Sequence, residues 1–101
     1  MATRLELHSK LKELLGNDNV YYQPPESLKM EYPAIRYSRD DIIDSKADNI
    51  KYSKHNRYQI IVIDKRPDNE VIEKIMELPY STFDRHYTAN NLNHDVITLY
   101  Y

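Results

Sequence analysis

The residues in this sequence that could do chemistry are few and scattered. Four histidines are present, His8, His55, His86 and His94, and two carboxylates, Asp84 and Asp95, bracket the last pair. Asp84, His86, His94 and Asp95 could converge across a C-terminal hairpin, and imidazole with carboxylate suits a divalent metal. No recognised ligand spacing supports such a site. Cross-strand polar pairs and turn hydrogen bonds account for the same residues. Asp40, Asp41, Asp44 and Asp48 form a second acidic group that in principle offers a magnesium site or an acid and base pair. The spacing is not that of a calcium loop, and neither the glycine nor the terminal glutamate of that motif follows, so a solvated charged segment is the better reading. A nuclease built on Asp64-Lys65 would need a second acidic strand position that the sequence does not supply.

With Gly16 as the single glycine, neither a phosphate-cradling loop nor a dinucleotide fingerprint is possible. A nucleophile elbow is excluded on the same ground, since its strained turn needs flanking glycines. No cysteine is present, which removes disulfides, thiolate zinc ligands and a thiol nucleophile, and suits a reducing compartment. The expected reading is a protein that is not an enzyme and takes no cofactor or metal.

The elements that must position these side chains follow from periodicity. Thr3 and Glu6 have the spacing of a capping box, and Leu7, Leu11, Leu14 and Leu15 share a helical face ahead of Gly16, predicting a helix over Arg4–Leu15. Val20–Gln23 reads as a short strand stopped by Pro24-Pro25, and Ala34–Ser38 as a second. Arg39–Asn56 is mostly charged or polar around Ile42 and Ile43, predicting a long loop or a protruding hairpin arm. Arg57–Asp64 is the strongest strand, apolar on both faces through its middle, so one face should meet helices and the other a second layer or a neighbouring subunit. Pro67-Asp68 should open a second helix that ends near Leu78, before Pro79.

The remainder reads as a hairpin. Thr82, Asp84, His86 and Thr88 alternate with Phe83, Arg85, Tyr87 and Ala89, predicting one polar and one largely apolar face. Asn90–His94 supplies the turn, and Asp95–Tyr101 the last strand, whose Leu99-Tyr100-Tyr101 should be paired in the sheet or held by a partner. The expected fold is α+β: one domain over residues 1–101, with a mainly antiparallel sheet of about four or five strands packed by two helices, and the charged loop or arm.

Composition bounds the partners. Lys plus Arg total 14 against 16 Asp plus Glu, a formal charge of −2, too weak a positive field for generic nucleic-acid binding. The first residues have no signal-peptide pattern and no run is apolar enough to span a bilayer, so a soluble protein, cytosolic when made, is expected. Ten tyrosines stand against one phenylalanine and no tryptophan. Tyrosine joins a large apolar body to a polar tip, which suits either amphipathic core edges or surfaces that become buried in a complex.

Several short motifs point further. Tyr22-Gln23-Pro24-Pro25, Tyr32-Pro33, Ala47-Asp48-Asn49, Tyr58-Gln59, Pro67-Asp68, Phe83-Asp84-Arg85-His86-Tyr87, Asn91-Leu92-Asn93-His94-Asp95 and Leu99-Tyr100-Tyr101 together resemble the small neck proteins of long-tailed bacteriophages. The resemblance runs over most of the chain beyond Val20 and lies in the group of siphophage tail terminators and tail-to-head joining proteins. It implies a structural virion protein, typically a hexameric ring, that caps the tail tube at the head–tail junction and lets DNA pass without specific binding. Its implied partners are further copies of itself, the tail tube protein and the head connector or stopper proteins. A head-completion stopper is the alternative within the same class. Candidate subunit-interface positions are Ile42, Ile43, Tyr52, Tyr87, Tyr100 and Tyr101.

Overall fold

The leucine periodicity at the start of the chain produces the helix it predicts. The computed structural model describes residues 4–25, 29–44 and 54–101, the side chains of 40–44 and 54–55 excepted. Helix α1 spans Arg4–Leu15 and buries Leu7 and Leu11. Gly16 ends it at φ +82°, its N–H donating to the Lys12 carbonyl at 2.9 Å; that left-handed conformation is cheap for glycine alone. Thr3, the expected cap, lies outside the described residues.

Five strands follow: β1 (Val20–Tyr22), β2 (Ala34–Asp44), β3 (Lys54–Asp64), β4 (Ser81–Ala89) and β5 (Leu92–Tyr100), with a short helix α2 (Val71–Met76) between β3 and β4. The sheet order is β1-β2-β3-β5-β4. Only β1 runs parallel to its neighbour, from Val20 opposite Ile35 to Tyr22 opposite Tyr37. The other pairings are antiparallel, so the α+β architecture with a mainly antiparallel sheet is the one observed.

Three boundaries differ from the sequence expectation. β2 does not stop at Ser38. It continues to Asp44 opposite Lys54, so the ends of the charged segment, residues 39–44 and 54–56, are paired as a two-stranded arm. Helix α2 is shorter than expected, because Asp64 and Asn69 hold residues 65–70 as a turn. Asn69 Nδ2 donates to Asp64 Oδ2 at 2.7 Å, while Asn69 Oδ1 accepts from the Val71 N–H at 2.9 Å. Helix geometry thus begins only after Asn69 has satisfied an early N–H. The hairpin turn is Asn90-Asn91 alone, with φ of 54° and 62°. Two consecutive positive φ values match the right-handed twist of the flanking strands.

Both helices lie on one face of the sheet. Leu7 and Leu11 of α1 and Val71 and Ile75 of α2 pack with Val20, Ile35, Tyr37, Tyr58, Ile60, Val62, Ile97 and Leu99 in one cluster, with Tyr22 and Tyr101 against its edge. The registers place these strand residues on a common face. Tyrosine therefore serves the core first, and its polar tips need partners there. The Tyr37 hydroxyl donates to His8 Nδ1 at 2.6 Å and accepts a longer bond from Arg4 at 3.4 Å. The Tyr22 and Tyr37 rings lie 4.9 Å apart, and the Arg4 guanidinium sits 4.3 Å above Tyr22.

Burial, then the positive charges of Lys12 and Arg4, lower the His8 pKa below its ordinary 6.5. Neutral His8 is the form that accepts the Tyr37 proton. As pH falls, the unfolded chain takes up this proton before the folded one, so the contribution is complete above about 6.5 and erodes below it. Burial raises the Tyr37 pKa above its ordinary 10.0, so its contribution holds below about 10 and is lost as pH rises beyond. We expect Tyr37→Phe to cost about 1 kcal/mol, a fall in melting temperature of about 4–8 °C. His8→Gln, which retains an acceptor, should flatten the acid limb below pH 6.5 in urea denaturation series. An unchanged limb would exclude His8 as its source.

Candidate docking surface

Face assignment along β4 turns on one extra residue. Phe83 opposes Ile97 and Arg85 opposes Val96, leaving Asp84 as a bulge. A bulge shifts the alternation beyond it. Phe83, His86 and Thr88 consequently lie on the helix-bearing side, whereas Thr82, Arg85, Tyr87 and Ala89 lie on the other. The simple polar and apolar alternation read from the sequence is overturned at this point.

Strand alternation on β5 and the bulge on β4 together separate Asp84, His86, His94 and Asp95. His86 Nδ1 meets Asp95 Oδ1 at 2.7 Å on the helix side, where the Asp95 side chain is 10% exposed and that of His86 40%. His94 lies on the opposite side and stacks on Tyr87, with centroids 4.7 Å apart and planes 10° from parallel. Asp84 pairs with the adjacent Arg85 at 3.7 Å. Among the described residues no group of three or more His, Asp or Glu is placed to hold a metal ion. Asp64 is likewise engaged locally, by Asn69 and by Arg66 at 3.4 Å. Of the Asp40, Asp41, Asp44 and Asp48 group, the first three belong to β2, and Asp48 lies outside the described residues.

What the sheet offers instead is surface. On the side away from the helices lie Tyr21, Arg36, Gln59, Ile61, Arg85, Tyr87, His94, Thr98 and Tyr100, all exposed or half-buried. Ala34, Ile63 and Val96 on this side are buried yet stand apart from the main cluster. No helix or sheet among the described residues forms a second layer there. Among the described residues, helices cover one face of the sheet only. Phe83 is 43% exposed and Tyr87 37%, with Tyr80 and Leu5 more open still.

The six interface candidates separate into different environments. Tyr87 faces outward on β4, half-covered by its stack on His94 and with the Arg85 guanidinium 5.8 Å from its ring. Tyr100 is half-buried opposite Arg57, and its N–H donates to the Tyr80 carbonyl at 3.2 Å. Tyr101 turns inward, packs on the core beside α1 and donates its N–H to the Asn56 carbonyl at 3.0 Å. Tyr101 is therefore a core residue with an exposed rim rather than a free docking group. Ile42 and Ile43 belong to the arm, opposite Asn56 and His55, and their side chains lie outside the described set. Tyr52 lies outside the described residues. The exposure of Phe83 and Arg85 follows from β4 being the sheet edge, which no local pattern encodes.

The position of these groups rests on the Asn90-Asn91 turn. Asn91→Val should lower stability by about 1 kcal/mol, since a β-branched residue resists positive φ. Asn91→Gly should be neutral or stabilising, as measured by chemical denaturation; equal effects from the two would contradict the turn assignment. In comparisons with known proteins, the sequence matches no family model and no curated protein.

Proposed function

We propose that this chain is a structural assembly protein of a long-tailed bacteriophage, the ring-forming tail terminator or head–tail joining protein of the virion neck. The observation that carries the reading is the arm. β1 accompanies β2 only as far as Tyr37, and β5 accompanies β3 only from Arg57 onward. Among the described residues, the sheet is two strands wide from Ile42 to Asp44 and at Lys54 and His55, Asn56 being reached by the Tyr101 N–H. An isolated two-stranded ribbon is marginal in water. Lying against a neighbouring subunit would supply the missing cover.

Two further features support the reading. The motif resemblance spans most of the chain beyond Val20, and the sheet face away from the helices presents Tyr21, Arg36, Arg85, Tyr87 and Tyr100, aromatic and arginine side chains of the kinds enriched in interfaces. A small domain gains most from such cover, because it buries a limited share of its own unfolded surface. The slight negative charge suits a neck through which DNA must pass without adhering. On this reading the chain acts in the host cytoplasm during assembly and resides at the head–tail junction of the finished particle. Its partners are further copies of itself, the tail tube protein and the head connector or stopper.

Assembly in the absence of this protein should yield tails of irregular length or heads and tails that do not join, and density for it should appear at the neck in particle images. Normal, joined particles lacking the protein would overturn the reading. Replacing residues 43–55 by an Asn-Gly turn, which closes the hairpin on the paired Ile42 and Asn56, should leave a cooperatively folding chain that no longer completes tails. Full activity after that replacement would remove the arm from the mechanism.

A further inference from the structure

We propose that β4 is a self-complementary edge through which two copies of this chain join their sheets about a two-fold axis. The inference does not depend on the neck reading. β4 is the outermost strand on its side, and every residue from Thr82 to Thr88 is exposed. Among the described residues no strand lies beyond it. A nine-residue edge carries a row of N–H and C=O groups able to template another strand. The opposite edge, β1, has three residues and offers far less.

The identity of the occupant comes from the sequence of β4 itself. Let the strand meet its own copy antiparallel, with the axis between Asp84 and Arg85. Asp84 then stands opposite the second copy's Arg85, Phe83 opposite its His86, Thr82 opposite its Tyr87, and Ser81 opposite its Thr88. Directly opposed residues of an antiparallel pair must lie on the same face. In a regular strand this register would fail, because Thr82 and Tyr87 are an odd number of residues apart and would point to opposite sides. The bulge at Asp84 removes the conflict. It brings Thr82 and Tyr87 to one face, and Phe83 and His86 to the other, so the irregularity that spoils the simple alternation is what allows the edge to match itself.

Charge and closure agree with this arrangement. Asp84 and Arg85 are well exposed, at 43% and 61% of their side chains, and in the single chain they meet only at 3.7 Å. Across the axis they make two opposite-charge pairs, flanked by two Phe83–His86 aromatic pairs, both favourable cross-strand combinations. The axis stands perpendicular to the sheet, so the helices of both copies fall on the same side. Two five-stranded sheets become one, bounded at each end by the short β1. A self-matching contact of this kind consumes the long edge and stops at two copies.

Sedimentation or light scattering over a dilution series tests the proposal on the full chain. The expected result is a concentration-dependent dimer. Arg85→Asp and Asp84→Arg should each weaken it about ten-fold or more, because each turns two attractive pairs repulsive. The swapped double variant, Asp84→Arg with Arg85→Asp, should restore it. An unchanged far-ultraviolet circular dichroism spectrum and a cooperative melt at dilutions where the parent chain is monomeric would confirm that the single variants fold. A chain that stays monomeric at all concentrations, a dimer indifferent to either reversal, or a larger ring that forms equally well with both variants would overturn the proposal.

Discussion

A phenol ring buried with its hydroxyl obliges something nearby to donate or accept a hydrogen bond, and in this protein that obligation organises the helix layer. Tyr37 and Tyr58 are almost wholly inaccessible, and they occupy the middle of the sheet's helix-bearing face. An unsatisfied hydroxyl there would cost about as much as a hydrogen bond contributes, and more if no water reached it. His8 meets the demand from α1, with Arg4 on the same helix adding a longer bond. The register of α1 on the sheet is thereby constrained twice, by the fit of Leu7 and Leu11 and by the reach of His8. Apolar packing alone would tolerate sliding along the helix axis; a hydroxyl matched to one imidazole nitrogen does not.

That one-sided layer determines what is left uncovered. Because α1 and α2 pack on the same face, Ile61 and its neighbours on the reverse face meet no second layer among the described residues. β4 extends past the shelter of α2, whose own end is fastened to the start of β4 by the Ser81 hydroxyl, within hydrogen-bond distance of the Met76 and Leu78 carbonyls at 3.1 and 2.8 Å. Burial consequently declines across the sheet from β5 to β4. The residues of β5 at its centre, Asp95 to Ile97, are buried, whereas those of β4 beside them are not. Surface available for association is a consequence of where the helices are obliged to sit.

How much of this was legible beforehand depended on whether the signal was local. Helix α1 and its end at Gly16 were readable, since the leucine spacing and Gly16 lie within one stretch of chain. β3 was readable from its β-branched run. The bulge at Asp84 was not, because it exists only relative to β5, and its effect was to exchange the faces assigned to Arg85, Tyr87, His86 and Thr88. The length of α2 was misjudged for a related reason: Pro67 favours helix entry, but Asp64, at the end of another element, captures Asn69 first. Tyrosine content was ambiguous in kind. Composition cannot distinguish Tyr37, held in the core by a helix that precedes it by some thirty residues, from Tyr87 on an open strand. Of the interface candidates, Tyr87 was placed outward as expected and Tyr101 inward, although both read as part of the same aromatic hairpin.

The two ends of the sheet are built on different chemistry, and the difference bears on where association is possible. At the end where β3 finishes, Asp64, Arg66, Asn69 and Asn93 are linked by short-range bonds, and Asn93 Nδ2 reaches the Lys65 carbonyl at 3.1 Å. Asp95 and His86 pair next to this end, further in along β5 and β4. These bonds join residues of neighbouring segments to one another, so the polar groups of that end are largely consumed internally, and a partner arriving there would have to compete with them. At the opposite end the arm leaves the sheet, Tyr101 packs on the core edge beside α1, and the Tyr100 N–H donates to the Tyr80 carbonyl. Contacts made by apolar rims and strand edges can be extended by a neighbour without first breaking anything. The arm end and the β4 edge therefore carry the capacity for assembly, and the carboxylate end serves to keep the strands that present them in register.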